Sequence, residues 1–251
     1  MSMKKLSYLI ILLSIILVSC EEDKPVNNND SVLTKANIRG SLGLYDEFGK
    51  SVSSERMFVY MEGNEQIHYT ESEKDGSFLV PNVPYFNNYT ISYEKEGFGT
   101  YKSFGYEHEY TGEEGQLEGI ALSQKSGAYC TSLLVIQSND TTHFHLGLGG
   151  SSDAGKRKIR LLFHTIPEIN HDVFSHYTTK FTAVNTNQVI SLSKEFLNEL
   201  GLVSGTTYFV QAYGDSYFSN AYFDDYNRKQ VLPNLGYNPE EAIPKASFIM
   251  P

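Results

Sequence analysis

Five of the seven histidines lie in the second half of the chain: His143, His145, His164, His171 and His176. His143 and His145 are two apart in the alternating run Thr142-His143-Phe144-His145-Leu146, which puts both on one face of a strand. With His164 from another strand they would supply three nitrogens to a metal. Nothing in the spacing fixes those strands as neighbours, and no carboxylate stands in a zinc pattern, so strand histidines without a metal are expected. Gly150-Ser151-Ser152-Asp153-Ala154-Gly155-Lys156-Arg157 approximates a phosphate-binding loop. Such a loop needs Ser or Thr after the lysine and a helix behind it, whereas here Arg157 and a strand follow, which fits a glycine-serine hairpin loop. Ser191-Leu192-Ser193-Lys194 has a nucleophile spacing but no partner motif. The pairs Glu113-Glu114 and Asp224-Asp225 are sequence neighbours, not two carboxylates facing each other across a cleft. Asp215, Asp224 and Asp225 lack alternating calcium-ligand spacing. The chain therefore offers no catalytic set and no cofactor site.

The stretch with the most pull towards binding is Gly214 to about Pro244, a long polar and aromatic segment before the last strand. It carries Tyr217, Phe218, Tyr222, Phe223, Tyr226 and Tyr237 among aspartates and asparagines. Tyrosines in that setting suit stacking on sugar rings or contact with a protein partner. The competing expectation is that the segment folds over its own sandwich and buries those rings. Most connections are short, so one of this length needs an explanation.

A different chemistry sits near the start. Lys4-Lys5, the apolar run Leu6 to Val18, then Leu17-Val18-Ser19-Cys20 resemble a bacterial lipoprotein signal, cleaved before a lipidated Cys20. The apolar run is shorter than the ~20 residues of a spanning helix, and no later run approaches that length. With Cys20 lipidated, Cys130 has no disulfide partner. It lies in the apolar run Ala128 to Ile136 without a cation or a second cysteine nearby, and a small buried residue is expected. Removing Lys4 and Lys5 from the 20 basic side chains leaves 18 against 30 acidic, near −12. That balance repels nucleic acid.

The elements that must position these residues read as strands. Residues 20–35, with Asn27-Asn28-Asn29-Asp30, have no hydrophobic period and read as a flexible tether. Ile38 to Leu42, Met57 to Met61, Phe78 to Val80 and Tyr89 to Lys95 are short strands. Turns stand at Tyr45 to Lys50 and at Lys74-Asp75-Gly76-Ser77, where Asp-Gly suits a hairpin. After a polar link at Ser123 to Gly127 come Thr131 to Gln137, Thr142 to Leu148, Lys158 to His164, Phe181 to Val184 and Gln188 to Leu192. Ser193 to Leu200 reads as a helix capped by Ser193 and ended by Gly201. Ala246 to Met250 is a closing strand. The 18 tyrosines and 15 phenylalanines, without tryptophan, fit strand-rich structure.

Gly40, Asp46-X-X-Gly49, Val59-Tyr60, Thr70, Asp75-Gly76-Ser77-Phe78, Val83-Pro84, Tyr89-Thr90-Ile91 and Lys95-Glu96-Gly97-Phe98 occur in an order that resembles the carboxypeptidase regulatory-like domain. The resemblance covers about Asn37 to Leu122 and implies a transthyretin-like β-sandwich, usually a non-catalytic spacer or interaction module. The turn Pro84 to Tyr89 is bulkier than the family's glycine turn. Leu202-Val203-Ser204-Gly205-Thr206-Thr207-Tyr208 resembles the E–F corner of a fibronectin type III domain, with Ser204 where proline is usual. That resemblance implies that the Tyr208 hydroxyl returns to nearby backbone.

The expected layout is all-β: a signal at 1–19, a lipidated tether at 20–35, and two tandem β-sandwiches at 36–122 and 128–251, the second with the long 214–244 segment. The expected role is a non-enzymatic lipoprotein, held in the outer membrane by lipid on Cys20. Glu21-Glu22-Asp23 after the cysteine resembles surface-exported lipoproteins and favours the cell surface. Glycan capture, adhesion or surface assembly would suit it. The alternative is a periplasm-facing accessory subunit with an envelope protein as partner, and a hydrolase comes third.

Overall fold

The computed structural model describes residues 34–251. The signal, Cys20 and all but the last two residues of the tether lie outside the described residues. Regular structure starts at Lys35, and the described residues are almost entirely strand, turn and loop.

Nine strands make the first sandwich. One sheet is organised around β1 (Lys35–Tyr45); the other strands in chain order are β2 (Ser51–Val52), β3 (Phe58–Gly63), β4 (Gln66–Glu71) and β5 (Ser77–Pro84). β6 (Phe86–Glu94), β7 (Tyr101–His108), β8 (Gly115–Gln116) and β9 (Ile120–Ser123) follow. β1 pairs antiparallel with β2 and β5 and parallel with β8 and β9, while β4-β3-β6-β7 form an antiparallel second sheet. Inward residues of both sheets meet in one core, including Ile38, Leu44, Met57, Val59, Met61, Val80 and Ile91, each at most 1% exposed.

The Asp75-Gly76 turn is not a hairpin. β4 and β5 belong to different sheets, so the turn carries the chain across the sandwich. Gly76 has φ +87°, and a Cβ there would lie 1.8 Å from the Leu42 carbonyl oxygen. The turn needs glycine both for its left-handed backbone and because β1 approaches so closely that the Leu42 N–H donates to the Gly76 carbonyl at 2.9 Å.

The second sandwich uses β10 (Ala128–Ser138), β11 (Thr141–Gly150), β12 (Arg157–His164), β13 (His176–Tyr177), β14 (Phe181–Ala183) and β15 (Asn187–Ser193). Then come α1 (Lys194–Glu199), β16 (Thr207–Asp215), β17 (Tyr222–Asp224), β18 (Lys229–Val231) and β19 (Lys245–Ile249). Ladder pairing runs β13-β12-β16-β10-β11-β15, with β14 on β12 and β19 on β16. β10 meets β16 through a single pair, Tyr129 opposite Tyr213. β11 and β12 are three steps apart along that path, about 14 Å in a flat sheet. Yet the rings of Phe144 on β11 and Phe163 on β12 are 5.9 Å apart, and both touch Phe248 of β19, at 5.7 and 6.1 Å. The sheet is folded over on itself into two layers.

The Gly150 to Arg157 loop likewise joins the two layers, because β11 and β12 share no ladder. Its tip is a tight turn with Ala154 at φ +49° and Gly155 at φ +78°. α1 follows the sequence reading closely. The Ser193 hydroxyl oxygen accepts from the Phe196 N–H at 3.2 Å. Gly201 is left-handed, and the N–H groups of Gly201 and Leu202 donate to Asn198 and Leu197 carbonyls in a Schellman arrangement. The Tyr208 hydroxyl accepts the Val203 N–H at 3.2 Å, so the expected tyrosine corner is present.

Candidate functional site

The segment after β16 is neither a loose loop nor a cover over its own rings. It starts from a buried ion pair. Arg160 of β12 donates through Nε to Asp215 at 2.7 Å, with both side chains at most 6% exposed. The same guanidinium donates to the Thr178 carbonyl at 2.6 Å. The chain then crosses to the first sandwich and stays there by hydrogen bonding. The Ser216 hydroxyl donates to the Gln124 carbonyl. Asn220 accepts the Ser123 N–H at 3.0 Å and donates to the Gly99 and Ser123 carbonyls. Asn234 accepts the Asn220 N–H at 2.7 Å and donates to the Ser123 and Gln124 carbonyls. Both asparagines are buried, and buried amides of this kind satisfy backbone groups that no ladder reaches. Leu232 and Leu235 return to cover Leu162 and Tyr213 on the outer face of β12 and β16. The segment thus covers its own sandwich chiefly with leucines, together with Tyr237, which stacks on His171.

Between Asn220 and Leu232 the chain makes the hairpin β17–β18, which lies on the first sandwich. The Tyr222 ring meets Tyr101 and Phe104 of β7 at 6.1 and 6.2 Å. Tyr226 meets Phe104 edge-on at 5.4 Å, and its hydroxyl is 3.3 Å from that of Thr90. This explains a departure from the sequence pattern. Tyr89 to Tyr93 alternates as a half-exposed strand should, yet all five residues are buried. Outward-facing Thr90 and Ser92 lie on the face where the second sandwich's hairpin is seated.

The six aromatic residues expected to share a surface separate into three places. Tyr222 faces inward and Tyr226 caps Phe104, with Phe223 on the opposite face of the strand beneath the Arg228 guanidinium at 5.8 Å. Tyr217 and Phe218 lie elsewhere: Phe218 packs on Tyr45 of β1 at 4.4 Å, and the Tyr217 ring lies over Gly49. Gly49 has φ +88°, and a Cβ there would meet the ring at 2.7 Å. Tyr217 also borders a cleft of about 200 Å³ with Glu47, Asp153 and Lys158. Tyr237 stacks on His171 at 5.0 Å and 21°.

Beside the hairpin, the outer face of β3 and β4 carries a second aromatic run that the sequence reading missed. Phe58 and Tyr60 are stacked at 5.9 Å and 18°, and Tyr60 faces its cross-strand partner Tyr69 at 6.1 Å. Tyr69 and Ile67 are each 64% exposed. Tyr60 pairs with Ser92, one same-face position from Thr90 under Tyr226, so the β3–β4 rings and the hairpin rings border one another. Glu71 and Glu94 stand opposite Phe58, and Glu62 follows Tyr60 on the same face; all three are exposed. The available signal was alternation: Met57, Val59 and Met61 point into the core, which sends Phe58 and Tyr60 outward.

The other expected groups are dispersed. His143 bonds to Ser191 at 2.8 Å on the outer face of β11, and His164 accepts the Ile166 N–H on β12. Among the described residues no three His, Cys, Asp or Glu side chains are placed to hold a metal. Glu114 pairs with Arg39, and that partner holds its carboxyl below the usual range. Asp224 accepts the Tyr226 and Asn227 N–H groups, shaping the hairpin. Cys130 is buried, its thiol pushed up to about 11 by desolvation, and it is inert at neutral pH.

These features define an all-β chain whose exposed aromatic surface is assembled from two sandwiches. No protein-family model and no curated protein sequence matches it. Solved structures that it matches include a candidate carbohydrate-binding protein of Bacteroides uniformis, 13% identical over 85% of this chain and 98% of that one, with a TM-score of 0.31. A DUF3823 family protein of Bacteroides ovatus is 11% identical over 73% and 91%, with a TM-score of 0.28. Another, from Parabacteroides merdae, is 10% identical over 72% and 90%, also at 0.28.

Proposed function

We propose that the chain is a non-enzymatic binding module of the cell envelope, tethered to the outer membrane by lipid on Cys20, displayed at the surface, and capturing glycan. The observation that carries the binding reading is the aromatic surface running from Phe58, Tyr60 and Tyr69 to Phe104 and Tyr226. The stacked pair Phe58–Tyr60, with the exposed Tyr69 and Tyr226 rings on either side, offers apolar faces to the C–H faces of sugar rings, and the flanking glutamates accept from sugar hydroxyls. Glu62, Glu71 and Glu94 also repel anionic polymers, which selects neutral glycan. The anchor rests on the Leu-Val-Ser-Cys motif, and surface display on Glu21-Glu22-Asp23 after it.

Affinity electrophoresis through neutral polysaccharides tests the binding reading. Retardation should occur with at least one neutral polymer and disappear in Tyr60→Ala and Tyr226→Ala. Equal retardation of both variants, or none with any neutral polymer, contradicts it. Protease shaving of intact cells tests display: release supports the surface, and protection places the chain on the periplasmic side. Loss of membrane fractionation in Cys20→Ala tests the anchor.

A further inference from the structure

The first sandwich is not closed along one edge. β8 and β9 are short pieces on β1, separated by Leu117 to Gly119, and they leave a gap opposite β6 and β7. The gap opens into a cavity of about 390 Å³. Its floor is Ile91, Leu117 and Ile120. Its walls are three tyrosines: Tyr93 of β6, and Tyr101 and Tyr106 of β7. Tyr101 and Ser103 pair with Tyr93 and Ile91, so these side chains all face the sandwich interior. Gln116 and Glu118 stand exposed at the mouth.

The unusual feature is the phenol groups. Tyr93 is 3% exposed and its ring lies 6.0 Å from that of Tyr101. None of the Tyr93, Tyr101 and Tyr106 hydroxyls bonds to a described protein group, whereas those of the buried Tyr89, Tyr208 and Tyr213 all do; Tyr93 is itself buried, and Tyr101 and Tyr106 are half-buried at the opening. Their hydrogen-bonding capacity is left to whatever fills the cavity. Burial raises the pKa of Tyr93, and Tyr101 and Tyr106 raise it further, so its hydroxyl is neutral.

We infer that this cavity is a binding site for one neutral polyhydroxylated ring, a free monosaccharide or the end residue of a glycan. It deepens the glycan reading above, and rests on it, while using different residues. Three phenols and the Ser103 hydroxyl both donate and accept, Gln116 does both at the mouth, and the aliphatic floor suits the C–H face of a sugar ring. No lysine, arginine or histidine lines the cavity, so an anion would enter without a countercharge and meet Glu118 at the rim. The volume lies at the small end of ligand pockets, which suits one ring rather than a chain. Tyr222 of the hairpin packs edge-on against Tyr101, so the second sandwich braces one wall.

The test titrates the full chain with free glucose, galactose, mannose and N-acetylglucosamine, and separately with choline and inorganic phosphate, while backbone amide shifts are followed by NMR. At least one sugar should shift Tyr93, Ser103, Tyr106 and Gln116 saturably. Tyr93→Phe and Tyr106→Phe keep shape and remove one hydroxyl each, and each should weaken that sugar about three- to ten-fold. Gln116→Ala, on the exposed rim, should weaken it as well without touching the core. Three results overturn the inference: no sugar shifts these residues, choline or phosphate does so instead, or all three variants bind the sugar as the parent does. Polysaccharide retardation that depends on Tyr60 and Tyr226 would survive such a failure. Conversely, monosaccharide binding that persists in Tyr60→Ala would leave the cavity standing if the polymer reading fell.

Discussion

Two parts of the connection between β16 and β19 do opposite things with polar and aromatic residues. At Asp215, Ser216 and Asn220, and again at Asn234, the polar side chains are buried and bonded. From Tyr222 to Val231 the polar and inward places change over: Tyr222 is half-buried on β7, while Phe223 and Tyr226 are exposed. The usual placement is reversed, and the reason is the joint. Where two sandwiches meet through loops, there are backbone carbonyls and N–H groups that no strand pairs, and Asn and Asp reach them. Once that joint is fixed, the hairpin has no core to fill and its rings lie on an outer sheet face. The difference teaches that the joint sets position and the hairpin supplies contact.

The largest effect should come from the joint. Asp215→Ala leaves Arg160 buried without its carboxylate, and a loss of about 3–5 kcal/mol is expected in chemical denaturation. A value below about 1 kcal/mol would mean that the pair does not hold the start of the segment. Asn220→Ala removes an acceptor for Ser123 and a donor to Gly99 and Ser123 and should cost about 2–3 kcal/mol. Calorimetry of that variant should also separate one transition into two, because the bonds lost are those between the sandwiches.

A smaller effect concerns acid. His108 ends β7, the strand that carries Phe104 beneath the hairpin. Burial lowers its pKa, opposed by backbone contacts with Val83 and Ala36. The unfolded histidine titrates near about 6.5. Its contribution is therefore present in full above that pH and is lost as pH falls through the depressed folded value. Melting temperature should decline on acidification through that window, and less steeply in His108→Gln. The smallest stability effect belongs to the hairpin: Tyr226→Ala removes an exposed ring and should change stability by less than about 1 kcal/mol while abolishing polysaccharide retardation. If Tyr226→Ala unfolded the chain, or Asn220→Ala were silent, the division of labour would be wrong.

Much of the fold was legible. Alternation located β1, β3, β5, β6, β10, β11, β12, β15 and β19, and Ser193 with Gly201 marked both ends of α1. The strands β4, β7 and β9 were missed: β9 is short, β7 carries few aliphatic residues, and the alternating apolar residues of β4, Ile67 and Tyr69, face outward rather than into the core. Asp75-Gly76 signalled a tight turn correctly but not its role, since turn chemistry does not say whether the flanking strands share a sheet. The six segment aromatics were found as residues but not as a surface. Their grouping depends on Phe104, Tyr45 and His171, which come from elements far away in sequence. Tyr93, Tyr101 and Tyr106 looked like ordinary strand tyrosines, and only the unclosed edge beside β8 gives them a shared cavity.

Hydrogen exchange with and without a retarding neutral polysaccharide tests most directly whether one binding surface is assembled from two sandwiches. Bound glycan should slow exchange together in Phe58–Gly63, Gln66–Glu71 and Tyr222–Val231. Protection confined to one sandwich, or found in neither set of strands, would contradict it.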